Sequence, residues 1–408
     1  MPSTLAIFSV ELPHVDLWDK SHHRDVESAI HDTLSVMIVL SGVSFVLFDP
    51  TPKTKVSELF GREDELKKLR NIDTPISLLL GVRRVGKTSL VKVFLNLPDV
   101  QGIFVDCRRF SSTGVKISDL VHVLGNAFYL FSKKYATLIK MLKNLRSINI
   151  AGNEIEVARG SEEGVVEIFE VIDKWAGKRS KKIYIVFDEA QNLRFFRKAH
   201  GISFPEIFGY AYDNLKNLKI ILTGSEAGVL KEFVGTDDSQ SPLYGRYVEE
   251  MALEPFEFEK SKVFLEKGFD EVNFKYEEYQ IIKVLSELDG IVGWLVYFGK
   301  SVLDSKGDWE EAMEKTLEIV AKIVNEELKN LAKLSTRYIY CLRAIALGVD
   351  NWGSIKKAVE FEEKKKLTDA SFNRILKGLN KMGYIVKKNE RYRVADPVIR
   401  KVVMNFHV

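Results

Sequence analysis

The stretch Gly81-Val82-Arg83-Arg84-Val85-Gly86-Lys87-Thr88 constrains this chain more than any other, because glycines at this spacing followed by lysine and a hydroxyl let a backbone curl around phosphate. The curl turns amide N–H groups toward an anion, Lys87 reaches the β- and γ-phosphates, and the Thr88 hydroxyl suits Mg²⁺. The flanks fit this chemistry. Ile76-Ser77-Leu78-Leu79-Leu80 reads as a buried strand, and residues 89–95 read as a helix whose positive end faces the anion. Gly81, Val82, Arg83, Arg84, Val85, Gly86, Lys87, Thr88 and Ser89 are therefore expected to hold a nucleoside triphosphate, with Thr88 also on the metal.

A second apolar run, residues 182–187, ends on Asp188 and Glu189. Such a run belongs at the centre of a parallel sheet, where ligands bind at the carboxyl ends of strands, so the acids fall on the edge from which the phosphate loop emerges. Asp188 is expected to hold Mg²⁺ through its water shell, and Glu189 to orient and polarise the water attacking the γ-phosphate. Residues 103–106 and 218–222 read as further strands and 247–253 as the last. Beyond residue 222, Thr223 and Ser225 either sense the γ-phosphate from between the two motifs or satisfy local backbone. Arg246 is the candidate charge on the transferring phosphate, in its own chain or a neighbour's, against the alternative of a surface ion pair.

Length and charge place limits on the rest. A chain of 408 residues suggests two or three units, and 60 basic against 57 acidic residues give a net +3 that by itself favours neither nucleic acid nor membrane. Cys107 and Cys341 lie too far apart for a disulfide framework or a zinc motif, which fits a reducing cytoplasm. Residues 1–46 form an extension of unknown role. The uncharged run 33–48 has sixteen residues, three of them serine, short of the roughly 20 apolar residues a membrane span needs. Translation starting at Met37 is one expectation for this segment, and His22, His23 and His31 read as solvated side chains rather than metal ligands.

Asp49-Pro50-Thr51-Pro52 reads as a stiff connector into a domain spanning 47–256. Residues 257–334 are dense in helix formers, with apolar spacing at Ile281, Leu285 and Leu288 and again at Met313, Leu317 and Val320, which suggests a helical lid. Trp294 and Tyr297 within it read as packing residues rather than an adenine platform. Residues 335–408 order as helices at 335–347, 351–360 and 368–382 and a hairpin at 384–394, the sequence of a winged helix-turn-helix. Residues 350–408 carry fourteen Lys and Arg against seven Asp and Glu, a local +7 that suits duplex DNA. Lys364, Lys365 and Lys366 would meet phosphates, and Asn373, Arg374, Lys377 and Lys381 lie on the outward face of the third helix. A protein partner for the same face stays open.

Gly81 to Ser89, Phe60-Gly61-Arg62-Glu63, Phe187-Asp188-Glu189-Ala190-Gln191, Thr223-Gly224-Ser225 and Pro242-Leu243-Tyr244-Gly245-Arg246 together resemble the archaeal-type ATPases of the STAND class, relatives of AAA+ proteins. The resemblance implies an α/β phosphate-loop NTPase domain with a mostly parallel sheet, a helical lid and a C-terminal winged helix. It also implies ATP as ligand, with Lys87, Thr88, Asp188 and Glu189 in the roles given above. The expected function is a slow Mg²⁺-dependent ATPase switch, against a nucleotide-tuned DNA-binding regulator or origin-type loader and a signalling scaffold with a protein-binding winged helix, and oligomers stay open. Where the family carries Gly-x-Pro in the lid, this chain has Gly290-Ile291-Val292.

Overall fold

The computed structural model describes residues 47–110, 115–145, 148–151, 154–157 and 162–406. The expectations for residues 1–46, their histidines and Met37 included, lie outside the described residues.

The first helix, α1 (Glu63–Arg70), opens with three acids at the positive end of its dipole. Strands and helices then alternate through β1 (Ile76–Leu80), α2 (Lys87–Leu95), β2 (Gly102–Asp106), α3 (Ile117–Ser132) and α4 (Ala136–Leu142). A hairpin of β3 (Ile148–Ala151) and β4 (Glu154–Val157), which periodicity did not announce, leads to α5 (Glu162–Gly177). The domain is completed by β5 (Ile183–Asp188), α6 (Arg194–His200), α7 (Phe204–Asn214), β6 (Leu218–Gly224), α8 (Ala227–Val234) and β7 (Glu249–Ala252).

Five parallel strands form one sheet in the order β2-β5-β6-β1-β7. Every residue of β1, β5 and β6 is buried, which is why these strands read as unbroken apolar runs rather than alternating ones. Alternate residues feed two cores. Leu78, Leu80, Ile185, Phe187, Ile220 and Leu222 pack with α3, α5 and α7, whereas Leu79, Val186 and Ile221 pack with α2 and with the chain beyond residue 256. Register aligns the strand ends: Asp106 lies opposite Asp188, and Leu80 opposite Gly224.

The lid comprises α9 (Phe258–Asp270), α10 (Glu278–Leu288), α11 (Val292–Asp304) and the long α12 (Trp309–Leu334), which Asp308 caps by accepting the N–H groups of Glu310 and Glu311. Phe48 is 1% exposed and packs edge-on against Phe264 and Phe269 of the lid, so the apolar run reaching residue 48 ends in the core. Ser335 both ends α12 and caps α13 (Thr336–Ala346). Next come α14 (Trp352–Glu363), α15 (Asp369–Lys381), a hairpin of β8 (Ile385–Lys388) and β9 (Arg391–Val394), and α16 (Pro397–Met404). The last helix is an addition to the sequence reading. Among the described residues no helix is long and apolar enough to cross a membrane.

Candidate functional site

The phosphate loop joins β1 to α2, and its backbone needs glycine where the helix begins. Gly86 caps α2 at φ +99°, a left-handed conformation that a side chain would strain. Lys87 is 5% exposed and donates to the carbonyls of Gly81 at 2.8 Å and Val82 at 3.0 Å. Burial pulls the Lys87 amine below its ordinary value, although Glu189 and Asp188 act against that pull.

Asp188, at the end of β5, is fully buried and is gripped from both sides. Thr88 Oγ1 donates to its Oδ2 at 2.9 Å and Thr223 Oγ1 to its Oδ1 at 2.6 Å. Because β6 lies between β1 and β5, one threonine comes from the phosphate loop and the other from the strand beside it. Burial pushes the Asp188 carboxyl above its ordinary value despite these bonds. Glu189 follows in left-handed backbone at φ +54°. Its N–H donates to Thr223 Oγ1 at 3.1 Å, and its Oε2 accepts from the Ser225 amide at 3.1 Å, the Ser225 hydroxyl at 2.7 Å and Gln191 at 2.6 Å. Burial raises the Glu189 carboxyl, but the Lys87 charge and the Ser225 and Gln191 hydrogen bonds outweigh it and leave the group below its usual range. Two adjacent carboxyls are thus driven in opposite directions, the pattern that separates a metal or proton site from an ionised base.

Lys87, Thr88, Glu189, Gln191 and Ser225 line a cleft of about 680 Å³, a size typical of small-molecule sites, with Asp188 and Thr223 buried behind them. Its other walls are the 49–53 connector, Phe60, and Val292, Val296 and Tyr297 of the lid. Tyr297 packs against the core as expected and also forms a wall of the cleft, whereas Trp294 is wholly buried. Mg²⁺ fits this donor set. The chain offers one hydroxyl and one dry carboxylate 2.9 Å apart, which suits a small hard ion that keeps water and takes phosphate oxygens. Ser89 accepts the N–H of Lys53 at 3.2 Å and so fastens the connector to α2.

Arg246 is not brought to this cleft. Its guanidinium forms a two-pronged pair with Asp213 at 3.0 and 2.6 Å and also donates to the Pro242 carbonyl, on the surface. Sequence reasoning also passed over Arg108, which lines the cleft from the end of β2; a basic residue at the carboxyl end of a second parallel strand was the available signal.

Arg83 and Arg84 line the same cleft and are paired with acids from beyond the phosphate loop. Arg83 pairs with Glu226 at 3.3 Å and Glu327 at 3.2 Å, and Arg84 with Glu327 at 2.6 Å. Arg84 also stacks over Trp294 at 4.1 Å, and the Trp294 indole donates to Asp396, the cap of α16, at 3.2 Å. Gly293 in the lid donates its N–H to the Arg84 carbonyl at 2.9 Å. The winged helix rests on the same region: Lys381 pairs with Glu232 of α8 at 2.8 Å, and a Cβ on Gly383 would stand 3.0 Å from the Ser225 carbonyl. Asn373, Arg374, Lys377 and Lys364 to Lys366 are exposed, although Asn373 already accepts from Trp352 at 2.8 Å.

Residues 59–298 match an ATPase domain predominantly from Archaea, and residues 311–395 match the MCM protein C-terminal winged helix-turn-helix domain. The chain is similar to the Walker-type ATPase PABY2304 of Pyrococcus abyssi, with 37% identity over 88% of this chain and 99% of that one and a TM-score of 0.76. Its fold is also similar to that of the ORC2 protein of Aeropyrum pernix in ADPNP–ADP complexes, at 14% identity, 88% and 96% coverage and a TM-score of 0.56. No match is found among curated protein sequences.

Proposed function

The chain belongs to the family of ATPase domains found predominantly in Archaea, and on that premise we propose that it is a Mg²⁺-dependent, slowly hydrolysing ATP switch of the STAND type. Nucleotide state sets whether its winged helix stays docked. The observation that carries this reading is the chain of contacts from Arg84 of the phosphate loop through Trp294 of the lid to Asp396 of the last helix. A phosphate loop tied to two other parts of the molecule cannot change shape alone.

The cleft residues divide the chemistry. Loop N–H groups and Lys87 hold the phosphates, and Thr88 with Asp188 would hold Mg²⁺, which would supply positive charge to the transferring phosphate. Glu189, ionised and aimed by Ser225 and Gln191, takes a proton from the attacking water. The new bond joins water oxygen to the γ-phosphorus, and the β–γ bridge breaks with its electron pair leaving on ADP. Thr223 links Asp188 to the Glu189 backbone, so it and Ser225 hold the two acids in fixed relation. Lys87→Ala is expected to abolish ATP binding. Glu189→Gln keeps binding and lowers hydrolysis by about 10²–10³-fold in a phosphate-release assay, and equal turnover in the two proteins would discard the role.

Duplex DNA is the partner we favour for the winged helix. Arg374 and Lys377 stand exposed on α15, and Lys387, Lys388 and Arg391 lie exposed on the hairpin beside it. Phosphate release measured with and without duplex DNA separates this reading from a protein-binding scaffold, for which DNA would leave the rate unchanged. The buried thiols Cys107 and Cys341 support a cytoplasmic location.

A further inference from the structure

Resting on the reading that this cleft hydrolyses ATP, we infer that Arg108 is a catalytic residue supplied by the same chain, a guanidinium that meets the γ-phosphate oxygens as their charge changes in the transition state. Its position follows from the sheet. Pairing of β2 with β5 sets Asp106 opposite Asp188, and a single tight turn, Cys107–Arg109, then folds Arg108 back beside the strand end.

Asp106 fixes the side chain in that place. Its carboxylate accepts the Arg108 backbone N–H at 3.0 Å, Nε at 2.8 Å and Nη2 at 2.6 Å, a fork-to-fork pair that leaves little rotational freedom. Held so, Arg108 Nε stands 4.0 Å from Asp188 Oδ2, and the side chain lines one cleft with Lys87, Thr88 and Glu189. Three of its five N–H donors bond to no other described residue, and the side chain is 52% exposed.

The other arginines of the cleft are committed elsewhere. Arg62 holds the carbonyls of Val85 and Glu254, and Arg83 and Arg84 hold Glu226 and Glu327, all distant in sequence. Moving any of them would undo the frame. Among the described residues every hydrogen bond of Arg108 lies within two residues of it, so its remaining donors can engage phosphate without breaking a tertiary link. Lys87 approaches the phosphates from the loop, and Arg108 supplies the opposing cation from the β2 side. Asp106 is then a positioning residue.

The test uses the full chain with Mg-ATP, reading single-turnover hydrolysis and ATP affinity separately. Arg108→Ala is expected to slow hydrolysis by about 100-fold or more while ATP affinity stays within about threefold and melting is unchanged. It also loses the trapping of ADP by aluminium fluoride, and Asp106→Asn gives a smaller loss of about tenfold in the same two readouts. Arg108→Ala hydrolysing within about twofold of an active wild type overturns the inference. So does recovery of the rate on mixing Arg108→Ala with Lys87→Ala protein, which would put the cation on a neighbouring chain. An inactive wild type would instead sink the ATPase reading on which the inference rests.

Discussion

Two tryptophans use the same chemistry for different ends. Trp175 and Trp294 are both wholly buried, each donates its indole N–H, and each carries an arginine over its ring. The partners of Trp175 are Thr137 and Arg179, at 3.1 and 4.3 Å, so the cluster closes one layer of helices on the sheet. The partners of Trp294 are Arg84 and Asp396, which belong to the phosphate loop and the last helix. One core is self-contained. The other runs from the sheet through the lid into the winged helix without interruption, so packing itself can carry a signal between nucleotide and wing.

The largest expected effects test that contrast directly. Trp175→Ala and Trp294→Ala should each cost about 3–5 kcal/mol, as large-to-small changes in a packed core do. Only the second should change ATP affinity and winged-helix docking in the protein that remains folded. The Phe variants keep most of the volume and remove the N–H, at a cost of about 1–2 kcal/mol, and give the cleaner comparison. Chemical melts paired with nucleotide titration decide the matter; Trp175→Phe shifting ATP affinity as much as Trp294→Phe would erase the distinction.

A middle-sized effect concerns the two acids at the end of β5. The Asp188 carboxyl is pushed up in the folded state, so the folded protein binds the proton more tightly and stability falls as pH rises through the window above the ordinary value of 3.8. Glu189 is pushed down, so its contribution is present above the ordinary value of 4.5 and is lost as pH falls through the lower folded value. At neutral pH without nucleotide, Asp188→Asn should therefore stabilise the fold by about 1 kcal/mol while abolishing Mg²⁺-dependent hydrolysis. Glu189→Gln should give no such gain. Thermal melts of both variants check the opposite signs, and a destabilised Asp188→Asn protein would show that the carboxylate is not held at a cost.

Much of the site was legible because its signals are local. Asp188 and Thr223 sit at the ends of apolar runs, Lys87 and Thr88 open the helix that follows another, and parallel strands must present those ends at one edge. Arg108 was not legible, since its place depends on the register of β2 against β5 and on a tight turn that no periodicity marks. Tyr297 and Trp294 lie three apart on α11 and differ only in which side meets the cleft, a fact of tertiary packing. The last helix was not part of the sequence reading; Pro397, preceded by Asp396, which caps the next two N–H groups, is its first residue. Arg246 closes a motif in sequence, yet the Asp213 carboxylate at the end of α7 claims it.

The smallest expected effect compares two surface ion pairs. Lys381 to Glu232 joins the winged helix to α8, and Arg246 to Asp213 stays within the ATPase domain. Both are partly exposed, so Glu232→Ala and Asp213→Ala should change melting little. Their effects on DNA should differ. Lys381 lies against α8 rather than on the outward face that periodicity suggested, so losing Glu232 releases one cation at that seam, and each phosphate neutralised steepens the fall of log affinity with log salt by about 0.9. Glu232→Ala should therefore raise DNA affinity and steepen that slope by about one, with Asp213→Ala unchanged on both counts. Equal slopes in the two variants would mean that Lys381 serves only to dock the winged helix, leaving any DNA contact to Arg374, Lys377 and the hairpin.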